Sequence, residues 1–318
     1  WAVGDKGRRW KVGDEVVVHC NQDDGDDEQC NGGDPMFSVS QRIWGYETPD
    51  GSFAQFTRVQ SQQLMPRPRH LTWEESACYT LTLATAYRML FGHPPHELRP
   101  GQNVLVWGAS GGLGSFAIQL VNTAGGNAIA VISDESKRDF VMSLGAKSVI
   151  NRKDFNCWGQ MPKVNSSEYL DWMKEARKFG KAIWDTTGKG VNVDIVFEHP
   201  GESTFPISTF VVKKGGMVVI CAGTTGYNLT LDARYLWMNQ KRVQGSHFAN
   251  LMQASAANQL MYERRLDPCM SEVFSWNKIP DAHIKMQTNQ HKPGNMAVLV
   301  NAQRTGLKTF EDVLELSN

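Results

Sequence analysis

The stretch Val104-Leu-Val-Trp-Gly-Ala-Ser-Gly-Gly-Leu-Gly114 decides how the rest of this chain reads. Val104 to Trp107 are apolar without alternation, the composition of a parallel strand covered on both faces. The glycines that follow let a turn approach a pyrophosphate at a helix N-terminus. The spacing Gly108-x-x-Gly111-x-x-Gly114 is a variant of the dinucleotide fingerprint and weak when taken alone. Its context strengthens it: Phe116, Ala117, Leu120 and Val121 recur at helical spacing, Gly125-Gly126 marks a turn, and a second apolar run covers 128–132. Strand, glycine turn, helix and strand thus fall within about thirty residues, as a dinucleotide-binding unit requires. The residues expected to touch the dinucleotide here are Gly108, Ser110, Gly111, Gly112, Leu113 and Gly114.

Downstream, strands are predicted at 129–132, 148–150, 193–197, 218–221 and 243–245, with helices between them. That alternation is the pattern of an α/β fold with a doubly wound parallel sheet. A helix over 137–144 closes at Gly145, whereas the longer stretch 156–187, with a charged helix over 168–179, reads as an insertion in the sheet domain. Upstream, residues 12–64 are short apolar runs broken by Gly, Asp and Pro, which predicts irregular antiparallel β structure. Thr72 then opens a helix, in one or two segments to Phe91, with Glu75 completing a capping box. After Gly245, a helix over 252–264 and a β segment over 296–300 are expected to return to the first domain. The strand-like start Trp10-Lys-Val-Gly-Asp-Glu-Val-Val-Val-His19 has almost nothing ahead of it, so the chain reads as a fragment.

The 33 basic and 33 acidic side chains cancel, leaving no basic excess for nucleic-acid affinity. No apolar run approaches the ~20 residues that span a bilayer, and the first residues are not a signal peptide, so no membrane association is expected. The six cysteines, at 20, 30, 78, 157, 221 and 269, lack the close pairs of a structural zinc site and read as free thiols of a cytoplasmic protein. The acidic run Asp23-Asp-Gly-Asp-Asp-Glu28 lacks the ligand spacing of a calcium loop and reads as solvated, so no metal is expected.

The end of the second strand bears on the choice of nicotinamide cofactor. A carboxylate there would bind the adenosine ribose diol, but this chain has Ser133, with Lys137 and Arg152 placed to neutralise a 2′-phosphate. NADPH is therefore favoured. Lys137 and Arg138 also fit the solvated start of a helix, and Asp134 and Glu135 weigh against a phosphate.

A truncated β domain, a Gly-Ala-Ser-Gly-Gly-Leu-Gly turn and a returning C-terminal segment resemble the zinc-free branch of the medium-chain dehydrogenase/reductases. Within it, HCNQDDGDDEQCNGGDP, RIWGYETPDGSFAQF, LMPRPRHLTWEESACYTLTLATAYRML, VFEHPG, ARYLWM and GSHFAN are similar to crotonyl-CoA carboxylase/reductases. The resemblance runs along nearly the whole chain. It implies a Rossmann NADPH-binding domain at 96–245, a GroES-like β-rich catalytic domain at 1–95 without its N-terminal part, and a return to it at 246–318.

The activity implied is NADPH-dependent reductive carboxylation of crotonyl-CoA with carbon dioxide to ethylmalonyl-CoA, by a homodimer or homotetramer. In that family an asparagine, an aromatic-Glu pair and a histidine hold carbon dioxide. The pair matches Tyr46-Glu47 and the histidine matches His247, while the asparagine would lie upstream of Trp1. Those residue types suit the chemistry, because an amide, an imidazole or an ordered water orients the partially negative oxygens and stabilises the carboxylate that forms. Ionised, Glu47 has no proton to donate and is better placed to fix a water or the imidazole. By pattern alone, Tyr46-Glu47 reads equally as a surface turn and His247 as a core histidine. His199, in Glu198-His-Pro-Gly201 after a strand's carboxyl end, is expected at the cofactor. Arg234-Tyr-Leu-Trp-Met238 fits either an acyl channel or the core. An enoyl-CoA or acryloyl-CoA reductase that fixes no carbon dioxide, and a non-catalytic NADPH-binding protein, remain the alternatives.

Overall fold

The computed structural model describes residues 1–302, 304–309 and 312. The chain divides into two compact units, Trp1–Ala84 with Phe248–Asn318, and Thr85–His247.

The first unit opens with four strands that turn residues keep short: β1 (Val16–Val18), β2 (Asn21–Gln22), β3 (Arg42–Ile43) and β4 (Leu64–Pro66). β1 pairs antiparallel with β4, and β2 with β3. Arg67, which follows β4, is buried. Its guanidinium pairs with Glu15 at 3.0 Å, donates to the Leu71 carbonyl at 2.7 Å and lies 4.1 Å from the Trp73 ring centroid. The expected capping box forms: Thr72 Oγ1 accepts the Glu75 N–H at 3.2 Å and the Glu75 carboxylate accepts the Thr72 N–H at 2.8 Å. It starts α1 (Trp73–Ala77), and α2 (Thr80–Phe91) then crosses the division at Ala84.

The second unit is a six-stranded sheet with every pairing parallel. In chain order it contains β5 (Asn103–Val106), α3 (Gly112–Thr123), β6 (Asn127–Ile132), α4 (Arg138–Ser143), β7 (Ser148–Asn151) and α5 (Ser167–Thr187). β8 (Val193–Glu198), α6 (Phe205–Val211), β9 (Val212–Ile220), α7 (Ala233–Trp237) and β10 (Arg242–Gly245) follow. The order β10-β9-β8-β5-β6-β7 is that of a Rossmann sheet, reversing direction between β5 and β8. Val104, Leu105 and Val106 are fully buried, which is why their run shows no alternation.

The stretch 156–187, expected as an insertion, is instead the crossover that carries the chain from edge strand β7 past β5 to β8. Its helix α5 buries Tyr169, Trp172, Ala176, Phe179 and Ile183, a spacing of three and four residues that presses one face on the core. Its charged residues occupy the other face, so the hydrophilic average of the segment hid the apolar stripe.

The chain returns to the first unit as α8 (Leu251–Tyr262), β11 (Met270–Phe274), α9 (Ile279–Gln287) and β12 (Asn295–Val298). β11 and β12 are parallel. The Tyr79 hydroxyl donates to Asn258 Oδ1 at 2.5 Å, and Asn258 Nδ2 donates to the Pro66 carbonyl at 3.0 Å, tying α8 to the start of the unit. The end of the predicted returning segment, at 310, 311 and 313–318, lies outside the described residues. Among the described residues no helix is long and apolar enough to cross a membrane. No disulfide joins the six cysteines.

Candidate functional site

The chain leaves β5 through Trp107 and turns at Gly108, whose φ of +53° lies in the left-handed region. A β-carbon on Gly108 would collide with the imidazole of His199, and one on Gly114 would strike the Gly108 carbonyl and stand 2.7 Å from Ala109 Cα. These two glycines therefore let the turn, α3 and the β8 exit pack without space for side chains. Gly111 is the N-cap of α3 and supplies no side-chain hydrogen bond. The first-turn N–H groups of a twelve-residue helix are thereby offered to an anion. Gly111, Gly112 and Leu113 are half-buried and Ser110 is buried, so the turn presents backbone rather than side chains. It lies at the carboxyl ends of the strands where the sheet order reverses, the position at which such sheets bind ligands.

At the end of β6, Lys137 Nζ donates to Ser133 Oγ at 3.5 Å. The two carboxylates that weighed against a phosphate are engaged elsewhere. Asp134 accepts the Ser136 N–H at 3.1 Å and pairs with Lys153 at 3.2 Å. Hydrogen bonds from Ser136, with the ammonium of Lys153, hold its carboxyl down at about 2. Glu135 pairs with Arg138. A serine hydroxyl and an ammonium thus meet at the end of β6, a donor set that suits a 2′-phosphate. Arg152 is half-buried; its guanidinium lies 5.2 Å from the Trp158 ring centroid, and burial lowers its pKa.

His199 is half-buried, and its Nε2 donates to the Trp107 carbonyl at 3.1 Å. Burial pushes its pKa down to about 4, so the imidazole is neutral. Its neighbour Glu198, which sequence reasoning left unassigned, is fully buried at the end of β8. One carboxylate oxygen accepts the Gly201 N–H at 3.1 Å and the Thr204 hydroxyl at 2.7 Å; the other accepts the Ser208 hydroxyl. Burial pushes this carboxyl up to about 7 against those hydrogen bonds. Ser208 Oγ in turn accepts the Trp107 indole N–H at 2.8 Å. The signal available in sequence was position alone, a carboxylate beside a histidine at a strand's carboxyl end.

Tyr46 and Glu47 belong to the first unit. Both are exposed on a turn in which Glu47 Oε2 accepts the Ile43 N–H at 2.8 Å and the Glu47 N–H donates to the Ile43 carbonyl at 2.9 Å. His247 closes the second unit just after β10 and is exposed, so it is not a core histidine. The core reading of 234–238 fails too, because Trp237 and Met238 are 67% and 57% exposed. In the first unit, buried His19 fixes the chain that follows His247. Its Nε2 donates to the Ala249 carbonyl at 2.7 Å, next to Phe248, whose φ is +41°.

Residues 1–69 match the alcohol dehydrogenase GroES-like domain, and 112–263 match the zinc-binding dehydrogenase model. The metal in that second name does not fit these residues: among the described residues no group of three or more His, Cys, Asp or Glu is placed to hold an ion. The crotonyl-CoA carboxylase/reductase of Cereibacter sphaeroides is 83% identical over 315 residues, covering 99% of this chain and 73% of that protein. The chain belongs to the crotonyl-CoA carboxylase/reductase family. A crotonyl-CoA reductase of Streptomyces avermitilis is 44% identical over 298 residues, 94% of this chain, which spans 65% of that relative. The solved family member AntE, in complex with NADP, superposes with a TM-score of 0.92 at 48% identity, over 96% of this chain and 75% of its own.

Proposed function

We propose that the protein catalyses NADPH-dependent reductive carboxylation of crotonyl-CoA, giving ethylmalonyl-CoA. The observation that carries this reading is the glycine turn at the sheet's switch point with Ser133 and Lys137 at the neighbouring strand end, in a chain of this family. NADPH, when bound, supplies hydride to the β-carbon of the enoyl thioester.

The chain's residues divide the work. The N-terminus of α3 neutralises the pyrophosphate, and Lys137 with Ser133 receives the 2′-phosphate. His247 donates a hydrogen bond to an oxygen of carbon dioxide and stabilises the carboxylate as the substrate's α-carbon attacks. One oxygen of Glu47 is committed to the Ile43 N–H, which leaves the other to orient a water. Glu47 also limits the stray protons that would quench the enolate. The protein works in the cytoplasm as a homodimer or homotetramer, for which the edge strand β10 offers a pairing surface.

Exposure of Tyr46 and Glu47 favours one second reading, reduction without carboxylation. Incubation of the purified protein with crotonyl-CoA, NADPH and radiolabelled bicarbonate separates them. Acid-stable label supports carboxylation, and NADPH oxidation without label contradicts it.

A further inference from the structure

Trp107, the last residue before the glycine turn, is held from two directions by consecutive residues of one strand exit. His199 grips its backbone through the hydrogen bond to its carbonyl, and Glu198 grips its indole through Ser208. The indole also stacks on Phe179, with ring centroids 5.6 Å apart and planes 11° from parallel. The same imidazole occupies the space that a β-carbon on Gly108 would need. The position and direction of the turn are therefore set from β8 as well as from β5.

We propose that His199 and Glu198 are positioning residues for the dinucleotide, fixing Trp107 and so the path of the Gly108–Gly114 turn on which its pyrophosphate rests. This role rests on the NADPH reading above and assigns His199 no proton transfer. Its donor nitrogen is committed to the Trp107 carbonyl, and the residue acts through that bond and through its bulk against Gly108. Because the pyrophosphate is common to both nicotinamide cofactors, loosening the grip weakens NADPH and NADH by the same factor. Loss of Lys137 weakens NADPH alone, so the two kinds of defect differ.

Equilibrium titrations of NADPH and NADH by fluorescence, with folding followed by circular dichroism, test this. His199→Leu is expected to raise both dissociation constants by about tenfold, the equivalent of one buried hydrogen bond. His199→Gln, whose amide nitrogen replaces Nε2, is expected to restore most of the affinity. At saturating NADPH the KM for crotonyl-CoA stays unchanged in both. Ser208→Ala, which cuts the link from Glu198 to the indole, weakens both cofactors in the same way. Gly108→Ala is expected to lose less affinity in a His199→Ala background than in the parent, because the imidazole that blocks the β-carbon is gone.

Parental affinity in folded His199→Leu and Ser208→Ala, or an equal Gly108→Ala loss in both backgrounds, overturns the positioning role. The glycine cycle decides the matter should His199→Leu not fold. Failure of the parent protein to bind NADPH at all overturns the proposed function instead, and this inference with it.

Discussion

Lys137 Nζ and Ser133 Oγ stand 3.5 Å apart at the carboxyl end of β6. They are four positions apart in sequence, and the short helical turn between them, capped by Asp134, brings the ammonium back over the strand end. A hydroxyl and a cation in that place suit a phosphate rather than a ribose diol.

Lys137→Ala is therefore expected to weaken NADPH binding by about tenfold, on the order of 1.4 kcal/mol, while leaving NADH binding nearly unchanged. Ser133→Asp places a carboxylate beside the diol and moves the preference further towards NADH. Calorimetric titration with both cofactors measures the ratio, and an unchanged ratio in both variants removes these residues from the 2′-phosphate site.

Glu198 predicts a pH effect on stability. Its carboxyl is raised from an ordinary 4.5 to about 7, so the folded protein binds this proton more tightly than the unfolded chain. The resulting stabilisation is complete below about 4.5 and is lost as pH rises through about 7. Glu198→Gln keeps the neutral form at every pH. Its melting temperature, relative to the parent, is expected to rise between about pH 4.5 and pH 7 and to level off above that. A difference that does not change with pH shows that Glu198 is not protonated in this range.

Arg67 should dominate the stability of the first unit. Removing it leaves the Glu15 carboxylate, whose side chain is 14% exposed, without its buried partner. Arg67→Met is expected to cost about 3 kcal/mol in a urea titration. Arg67→Lys recovers only part of that loss, because an ammonium cannot reproduce the forked contacts to Glu15 and the Leu71 carbonyl. A loss near zero for Arg67→Met shows that the apolar replacement packs as well as the ion pair.

Much of the second unit was legible because buried parallel strands carry uninterrupted apolar runs and its glycines sit at forced turns. β5, β6 and β8 differ from their predicted spans by one or two residues at the ends. The segment of α5 reads as an insertion because its charged face outweighs a stripe visible only at helical spacing. β11 went unseen because Met270-Ser-Glu-Val-Phe274 is half-buried throughout and has neither clear alternation nor a continuous apolar run. Within the site, the glycine turn and Ser133 were legible from local spacing. The Trp107 grip was not, since Trp107 and Ser208 are about a hundred residues apart and only the sheet order joins them.

Glu47 and His247 predict how product partitions. Glu47→Ala and His247→Ala are each expected to shift product from ethylmalonyl-CoA towards butyryl-CoA by several-fold while NADPH oxidation continues. Chromatographic separation of the two thioesters gives the ratio. An unchanged ratio in both variants excludes them from the carbon dioxide pocket.

What becomes of the substrate's α-carbon separates carboxylation from simple reduction. Mass spectrometry of the acyl-CoA product, formed from crotonyl-CoA and NADPH in isotopically labelled bicarbonate, reads this directly. Ethylmalonyl-CoA carrying one label for each NADPH oxidised is the expected result. Unlabelled butyryl-CoA as the sole product would contradict it.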